Sequence, residues 1–559
     1  MSDAQHEKQI ETSSAPSNRG SLLSPFRYAA FSVLWTSTVA SNIGTWMQNA
    51  AAGWLMTSLD PNPAVVALVQ VASSLPMMIF ALPAGTLADI VDRRKLLLVV
   101  QMLATALIAI LGYMIWLEWV TPAILLGFTF LVSTTAILAT PAWQSIVPQL
   151  VPLRELAQAV ALNSIGFNIS RAIGPALAGL AIAAWGLVAP FWLNAVSNIG
   201  VIAALLWWRS SDKARDLPPE RFGGAMRAGL RHARYNPHLR ATIVRSVGFF
   251  PFASAYWALL PLVARDQLAG GPQLYGILLG AIGVGAVGGA FVLPLLKTWL
   301  GADLLAVGGA IGTTVALVLF GVARQPAIAL TACLIAGLSW IAVLAMINVS
   351  AQISLPEWVR GRGLAIFVTF QFGGFTLGSI IWGWLAHIAG LPMTHFIAAT
   401  AGILAIPLLW RWKLQTAAGV DLTPSMHWPT PVLSQSIEPD RGPVMVTVEY
   451  DVMPIDREAF LRAIAKLERE RRRDGAFEWG VFEDAAVEGR FVETFLVDSW
   501  TEHMRQHERV TNADRVLQDE VHRFHRDYVP KVTHLIAVEH GSVTPSPLPE
   551  RQPGFRSEQ

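Results

Sequence analysis

The residues with the most chemical potential in this sequence are polar groups set inside long apolar runs. Arg171 stands in Asn168-Ile-Ser-Arg171-Ala-Ile-Gly174-Pro175, with hydrophobic stretches on both sides. A guanidinium at membrane depth is costly and usually faces a cavity or a partner. The alternative is that its long stem snorkels the charge to the surface. Asn42, Gln48, Asn49, Asn168, Asn348 and Gln371 lie in similar surroundings. Amides placed there either line a central cavity and hydrogen-bond a cargo or hold helices to one another. Asp89, Asp92 and Glu118 all fall near the ends of apolar runs, so no proton-carrying carboxylate is identified deep within one.

Other constellations carry less. Gly283-Val-Gly285-Ala-Val-Gly288 has the spacing of a dinucleotide loop, but it lies within an apolar span and follows no strand, so helix packing by small residues accounts for it. Cys333 is the single cysteine, which excludes an intramolecular disulfide and a four-cysteine metal site. Six of the 12 histidines follow Pro443, with His503/His507 and His522/His525 at helical spacing. Four histidines on facing helices could bind a metal, yet solvated helix faces are the simpler reading. No metal and no other cofactor is expected.

The elements that must position these residues are membrane helices. Of 559 residues, 53% are hydrophobic and 14% charged, against roughly 25% charged in an ordinary soluble protein. Apolar runs fall at about 30–57, 63–88, 96–117, 119–140, 157–185 and 187–208, then at about 242–264, 273–297, 302–322, 326–349, 363–388 and 391–412. The fold class expected is therefore an α-helical membrane protein of twelve transmembrane helices in two six-helix bundles, 27–208 and 241–412. A polar tail at 1–26 precedes them, with no pattern of a removable signal peptide. The basic stretch 209–240 joins them as a loop. Pro152, Gly174 and Gly179 recur 204 residues later as Pro356, Gly378 and Gly383, which suggests parallel repeats.

Charge orients this bundle. Formal net charge is only +2, but 443–540 holds 14 Lys+Arg against 20 Asp+Glu, and everything else 27 against 19. With a cytoplasmic N-terminus, Arg93, Arg94, Lys95, Arg154, the central cluster, Lys297, Arg360 and Arg362 lie on inside loops, and only Arg265 and Arg324 outside. That asymmetry obeys the positive-inside rule and puts both termini in the cytoplasm of an inner-membrane protein. The basic residues read as orientation signals within a lipid bilayer, not as a nucleic-acid footprint.

After a Pro/Ser-rich linker at 413–442, the stretch 443–540 changes character, and a tail at 541–559 ends the chain. Val444, Val446, Val448 and Tyr450 alternate as a strand, and Phe460, Ile464 and Leu467 mark one helix face. The order β-α-β-β-α-β predicts a soluble α+β domain of ferredoxin-like pattern.

Between the second and third runs stands Gly85-Thr-Leu-Ala-Asp89-Ile-Val-Asp92-Arg93-Arg94-Lys95. It resembles the signature loop of the major facilitator superfamily, although Ile90 and Asp92 replace a basic residue and a glycine. The resemblance implies that Gly85 lets helices approach, and that Asp89 pairs with basic groups in one conformation only. Arg93, Arg94 and Lys95 can also be plain topology signals. Asn168 to Gly179 resembles the superfamily's Gly-Pro antiporter motif, which makes Arg171, Gly174 and Pro175 candidate gating residues. Asn42-Ile-Gly-Thr-Trp-Met-Gln48-Asn49, Pro141-Ala-Trp-Gln144 and Leu355-Pro-Glu-Trp-Val-Arg-Gly-Arg362 look like the branch that contains the enterobactin exporter, the transmembrane secretion effectors, over about 20–412. Phe495 to His507 looks like the antibiotic-biosynthesis monooxygenase-like fold, which usually dimerises, so self-association through this domain is expected. The resemblance implies a secondary active exporter of small amphipathic molecules, drug or siderophore-like, proton-coupled and without covalent chemistry. The rival is a membrane-tethered enzyme whose C-terminal domain modifies cargo. No cofactor motif after Pro443 favours it.

Overall fold

The computed structural model describes residues 21–208, 222–416, 421–429, 431, 437–438, 440–526 and 529–538, without the side chains of 86, 88–90, 153, 222–226 and 228. The chain divides into two compact units at Ala418/Gly419.

The first unit is helical. In order come α1 (Ala29–Leu59), α2 (Pro63–Ile90), α3 (Arg93–Trp116), α4 (Pro122–Leu150), α5 (Leu156–Trp185) and α6 (Ala189–Trp207). There follow α7 (Phe222–Tyr235), α8 (Pro237–Val247), α9 (Phe250–Leu262), α10 (Pro272–Val322), α11 (Pro326–Ile353), α12 (Arg360–Ala389) and α13 (Leu391–Leu409). The starts are written in the sequence. Asn62, Thr121 and Asn236 cap α2, α4 and α8 with their side chains, each just before a proline at the first helical position.

Among the described residues, ten helices are long and apolar enough to cross a membrane. Two expected spans fall outside that number for physical reasons. Ser, Thr, Asn and Gln recur through α1, lowering its mean hydropathy. The runs expected at 273–297 and 302–322 form one 51-residue element, interrupted only where Gly301 takes φ 73°, a conformation that glycine adopts without steric penalty. The basic stretch expected as a loop at 209–240 is helical from Phe222 onward, as α7 and the start of α8, while 209–221 lies outside the described residues.

The second unit holds β1 (Val444–Asp451), α14 (Arg457–Asp474), β2 (Glu478–Glu483), β3 (Arg490–Val497), α15 (Trp500–Arg509), α16 (Asn512–His522) and β4 (Lys531–Ile536). Its four strands form an antiparallel sheet in the order β2-β3-β1-β4. The expected face is the core: Val444, Val446, Val448 and Tyr450 are buried, Val448 and Tyr450 against Phe460, Ile464 and Leu467 of α14, and Val444 and Val446 in a second cluster with Phe495 and Trp500. The unit begins before the expected boundary. Pro424 bridges to Thr511, and His427 and Trp428 both bond Gln518 Oε1 at 2.9 Å, so part of the expected linker is built into this fold.

Candidate functional site

Glycines set the site's walls. A Cβ on Gly174 of α5 would lie 2.6 Å from Trp46 Cβ and 3.0 Å from the Ile43 carbonyl of α1. Its repeat partner Gly378 of α12 would meet Ser254 and Pro251 of α9 in the same way. Each of these contacts stays inside its own half. Gly179 and Gly383, one turn further on, touch the opposite half. A Cβ on Gly179 would lie 2.7 Å from the Pro272 carbonyl of α10, and one on Gly383 would collide with Ala67 Cβ of α2. A Cβ added at Gly276 would lie 2.6 Å from the Pro175 carbonyl, and one at Gly283 2.5 Å from Ala172 Cα. Ser74 and Thr376 add a 2.7 Å hydrogen bond between α2 and α12. Backbones this close can pack only if one side lacks a Cβ. The approaches through Gly179, Gly276 and Gly383 lie toward the end where α1 turns into α2, opposite residues 91–95.

Between the halves lies a cavity of about 460 Å³, to which α1, α2, α5, α9, α10, α11 and α12 contribute. Arg171 lines it, 9% exposed, with its guanidinium carbon 5.3 Å from the ring centroid of Trp257, 5.6 Å from Trp340 and 5.7 Å from Trp46. It therefore does not snorkel. Among the described residues no carboxylate bonds it, and its Nε is buried with no hydrogen-bond partner, as is Nε1 of Trp340. A desolvated cation–π contact contributes on the order of 2 kcal/mol, and taking an unpaired ion out of water costs several. Three rings offset much of that cost but supply no hydrogen-bond acceptor. The site is thus a caged cation with donors to spare.

Five of the residues singled out in the sequence meet at this cavity: Arg171, Pro175, Asn49, Asn348 and Gln371. Three others do not line it. Gln48 is buried and accepts a 2.6 Å bond from Asn194 of α6, so it joins helices. Asn168 bonds the Ser164 carbonyl of its own helix. Asn42 is half-buried on α1 beside Ser41, whose hydroxyl bonds Asn198 at 2.5 Å. The structure also gives Gly85 no close approach, since nothing lies within 4 Å of a Cβ built there. Arg93 and Arg94 act as end-pieces, donating to the carbonyls of Ser145 in α4 and of Leu205 and Leu206 at the last turn of α6. Asp92 caps α3, accepting from Lys95 N at 2.7 Å. The side chain of Asp89 lies outside the described residues.

Sequence reasoning missed the aromatic box of Trp46, Trp257 and Trp340. Its signal was present, in tryptophans placed mid-run and away from the membrane-surface belt where they normally concentrate.

A family model described as "Transmembrane secretion effector" matches residues 20–542. The chain belongs to that family. The match spans the second unit as well, beyond the 20–412 expected. Among curated relatives, the staphyloferrin A transporter of Staphylococcus aureus is 23% identical over 65% of this chain and 90% of its own length. The multidrug efflux pump Tap of Mycolicibacterium fortuitum is 23% identical over 67% and 91%. Macrolide efflux protein A of Streptococcus pyogenes is 24% identical over 55% and 77%. These are transporters, and an enzymatic reading finds no support among them. Among solved structures, a bacterial homologue of the lysosomal transporter Spinster, inward-facing and unoccupied, has a TM-score of 0.55 at 14% identity over 70% of this chain and 97% of its own. A POT family transporter with a thioalcohol-conjugated peptide has a TM-score of 0.57 at 12% identity over 68% and 95%. Both likenesses concern the fold.

The glycine seams give this secretion effector a testable hinge. Gly276→Val should crowd the Pro175 carbonyl and unseat the contact between the halves. Overpacking of about 1–3 kcal/mol corresponds to about a 5- to 150-fold loss of the packed state. Transport should fall accordingly at unchanged membrane level, while Gly288→Val, where nothing lies within 4 Å, leaves it intact. Equal transport by the two variants would remove the seam from the mechanism.

The second unit has a cavity of its own, about 880 Å³, lined among others by Trp428, Tyr450, Arg471, His503, His507 and His534. Buried Glu493 of β3 receives Arg471 Nε at 3.0 Å, Trp479 Nε1 at 2.9 Å and Tyr450 Oη at 3.2 Å. Burial raises its carboxyl, but the Arg471 charge and these bonds outweigh that and hold it below the usual carboxylate range. His503 is 1% exposed and is not on the solvated face expected for it. Burial first, then His507 and His534, push its pKa down to about 3, so it is neutral at physiological pH. His522 lines the same cavity but stands outside the group of His503, His507 and His534, and His525 Nδ1 accepts from Asp451 N at 2.9 Å.

Proposed function

We propose that this protein exports small amphipathic molecules bearing an acidic group, by alternating access between two six-helix bundles of the inner membrane. The observation that carries the reading is Arg171, a buried cation caged by aromatic rings at a cavity shared by both halves, with donors that lack protein acceptors. A cargo with a carboxylate or similar anion and a flat apolar body satisfies both features at once. The names of the efflux relatives agree with export, and the resemblance to the superfamily supports a proton gradient as the driving force.

Counting α10 as two spans around Gly301 and adding α1 brings the crossings to twelve, an even number. Both termini then share a side, and the distribution of basic residues supports the cytoplasmic one. The seams at the far ends of α5 and α12 fit an inward-facing state. Gly85, Asp89, Arg93, Arg94 and the Gly174-Pro175 pair are proposed to act in the switch between states, Arg93 and Arg94 through the α4 and α6 carbonyls they bond and Gly174 through its close packing on α1.

For the second unit, the strand order and the helices between strands fit a ferredoxin-like module. Exposed Val532, Leu535 and Val538 at its β4 edge support self-association, and assembly or regulation is its proposed role.

Inverted membrane vesicles test the scheme in one preparation. They should accumulate amphipathic carboxylates when energised, discriminate against neutral and cationic analogues of the same size, and lose a C-terminal tag to added protease. Accumulation without regard to charge overturns the cargo class, and a protected tag overturns the orientation.

A further inference from the structure

We propose that the second unit binds one divalent transition-metal ion of the zinc class through His503, His507 and His534, with a coordination position open to the 880 Å³ cavity. The unit's own geometry carries this, independently of what the membrane unit transports. His503 and His507 stand one turn apart on α15, and β4 brings the His534 ring to 4.8 Å from that of His503. One ligand nitrogen from each lies within 4.8 Å of the other two. The Nε2 atoms of His503 and His507 are 3.3 Å apart. Two nitrogens at about 2.0–2.1 Å from a tetrahedral zinc stand about 3.4 Å apart. One edge of the coordination polyhedron is therefore already set, and modest movement of His534 closes the face.

The surroundings orient the rings as metal sites do. Nδ1 of His503 lies 3.3 Å from Gln506 Oε1, a pure acceptor, so Nδ1 carries the proton and Nε2 presents its lone pair to the cluster. The rings of Trp500 stand 5.5 Å from His503 and 6.0 Å from His534, giving the site an apolar wall. Three imidazoles without a carboxylate or thiolate select borderline ions such as Zn²⁺, Ni²⁺ or Cu²⁺ over Mg²⁺ or Ca²⁺. Three protein ligands leave a fourth place for water or for a donor atom of a small molecule in the cavity, the pattern of an open site and not of a structural one. The sequence alone could not assemble this set, because His534 is 27 residues from His507 and on a different kind of element.

The test uses the full chain without a polyhistidine tag, purified in detergent, stripped with a chelator and titrated with Co²⁺ under absorption. We expect one Co²⁺ per chain with the intense visible bands of four-coordinate cobalt, displaced by one equivalent of Zn²⁺. His507→Ala and His534→Ala, both at half-buried positions, should each weaken binding by more than about 100-fold, since even outer partners of metal ligands are worth 10–100-fold. His387→Ala, at an exposed position of α12, should change nothing. One equivalent of Zn²⁺ should also protect His507 and His534 of the unaltered chain from acylation by diethylpyrocarbonate, a readout that does not depend on a variant folding. Cobalt retained by the His507→Ala/His534→Ala double variant, or no protection by zinc, would show that the three histidines only pack the cavity wall.

Discussion

Replacing Arg171 by glutamine should raise the apparent KM for an acidic cargo about 10- to 100-fold and leave export of a neutral analogue nearly unchanged. A hydrogen bond to a charged group contributes about 1.5–3 kcal/mol net, and each 1.4 kcal/mol is a factor of ten. Lysine at this position should recover only part of the loss. Its ammonium keeps the charge but cannot lie flat against Trp257 and Trp340 or offer a fork of donors. Insertion into the membrane should be normal in both variants, because helix formation in lipid is set by backbone hydrogen bonds and apolar length. Rates are to be compared at matched membrane levels. Wild-type KM for the acidic cargo in Arg171→Gln would reduce Arg171 to a packing residue and leave the cavity without a charge filter.

The largest stability effect is expected in the second unit. Glu493→Ala should destabilise it by about 3–5 kcal/mol, the cost of leaving one member of a buried ion pair without its partner. Arg471 would then be stranded between Trp428 and Phe495, 5.0 and 4.9 Å from their ring centroids. Domains are stable by only about 5–15 kcal/mol, so the unit should become protease-sensitive at 37 °C within the otherwise intact chain. The double variant Arg471→Met/Glu493→Leu removes both charges and should recover part of the loss. Recovery is incomplete because Trp479 Nε1 and Tyr450 Oη also lose their acceptor. Limited proteolysis read at the linker distinguishes these outcomes. Equal resistance of Glu493→Ala and the unaltered chain would mean that the pair contributes nothing to the fold.

Much of the architecture was legible in the sequence because membranes impose one-dimensional rules. A hydrocarbon core demands about 20 apolar residues per crossing, so the helices could be read from runs and their starts from Asn62, Thr121 and Asn236 before prolines. Alternation in Val444 to Tyr450 and the spacing of Phe460, Ile464 and Leu467 likewise fixed a buried sheet face and the helix against it. The repeat of Gly174 and Gly179 as Gly378 and Gly383 was visible as spacing, and Arg171 as a charge out of place. Tertiary structure alone decided what these residues meet. It split the repeated glycines into seams within halves and seams between them, caged Arg171 with three tryptophans from α1, α9 and α11, and turned Gln48 toward Asn194 and away from the cavity. It also gathered His503, His507 and His534 where the sequence offered two separate helical pairs. The physical reason is common to all four: composition and period report how far a residue lies from water, whereas its partner is set by which distant helix or strand crosses beside it.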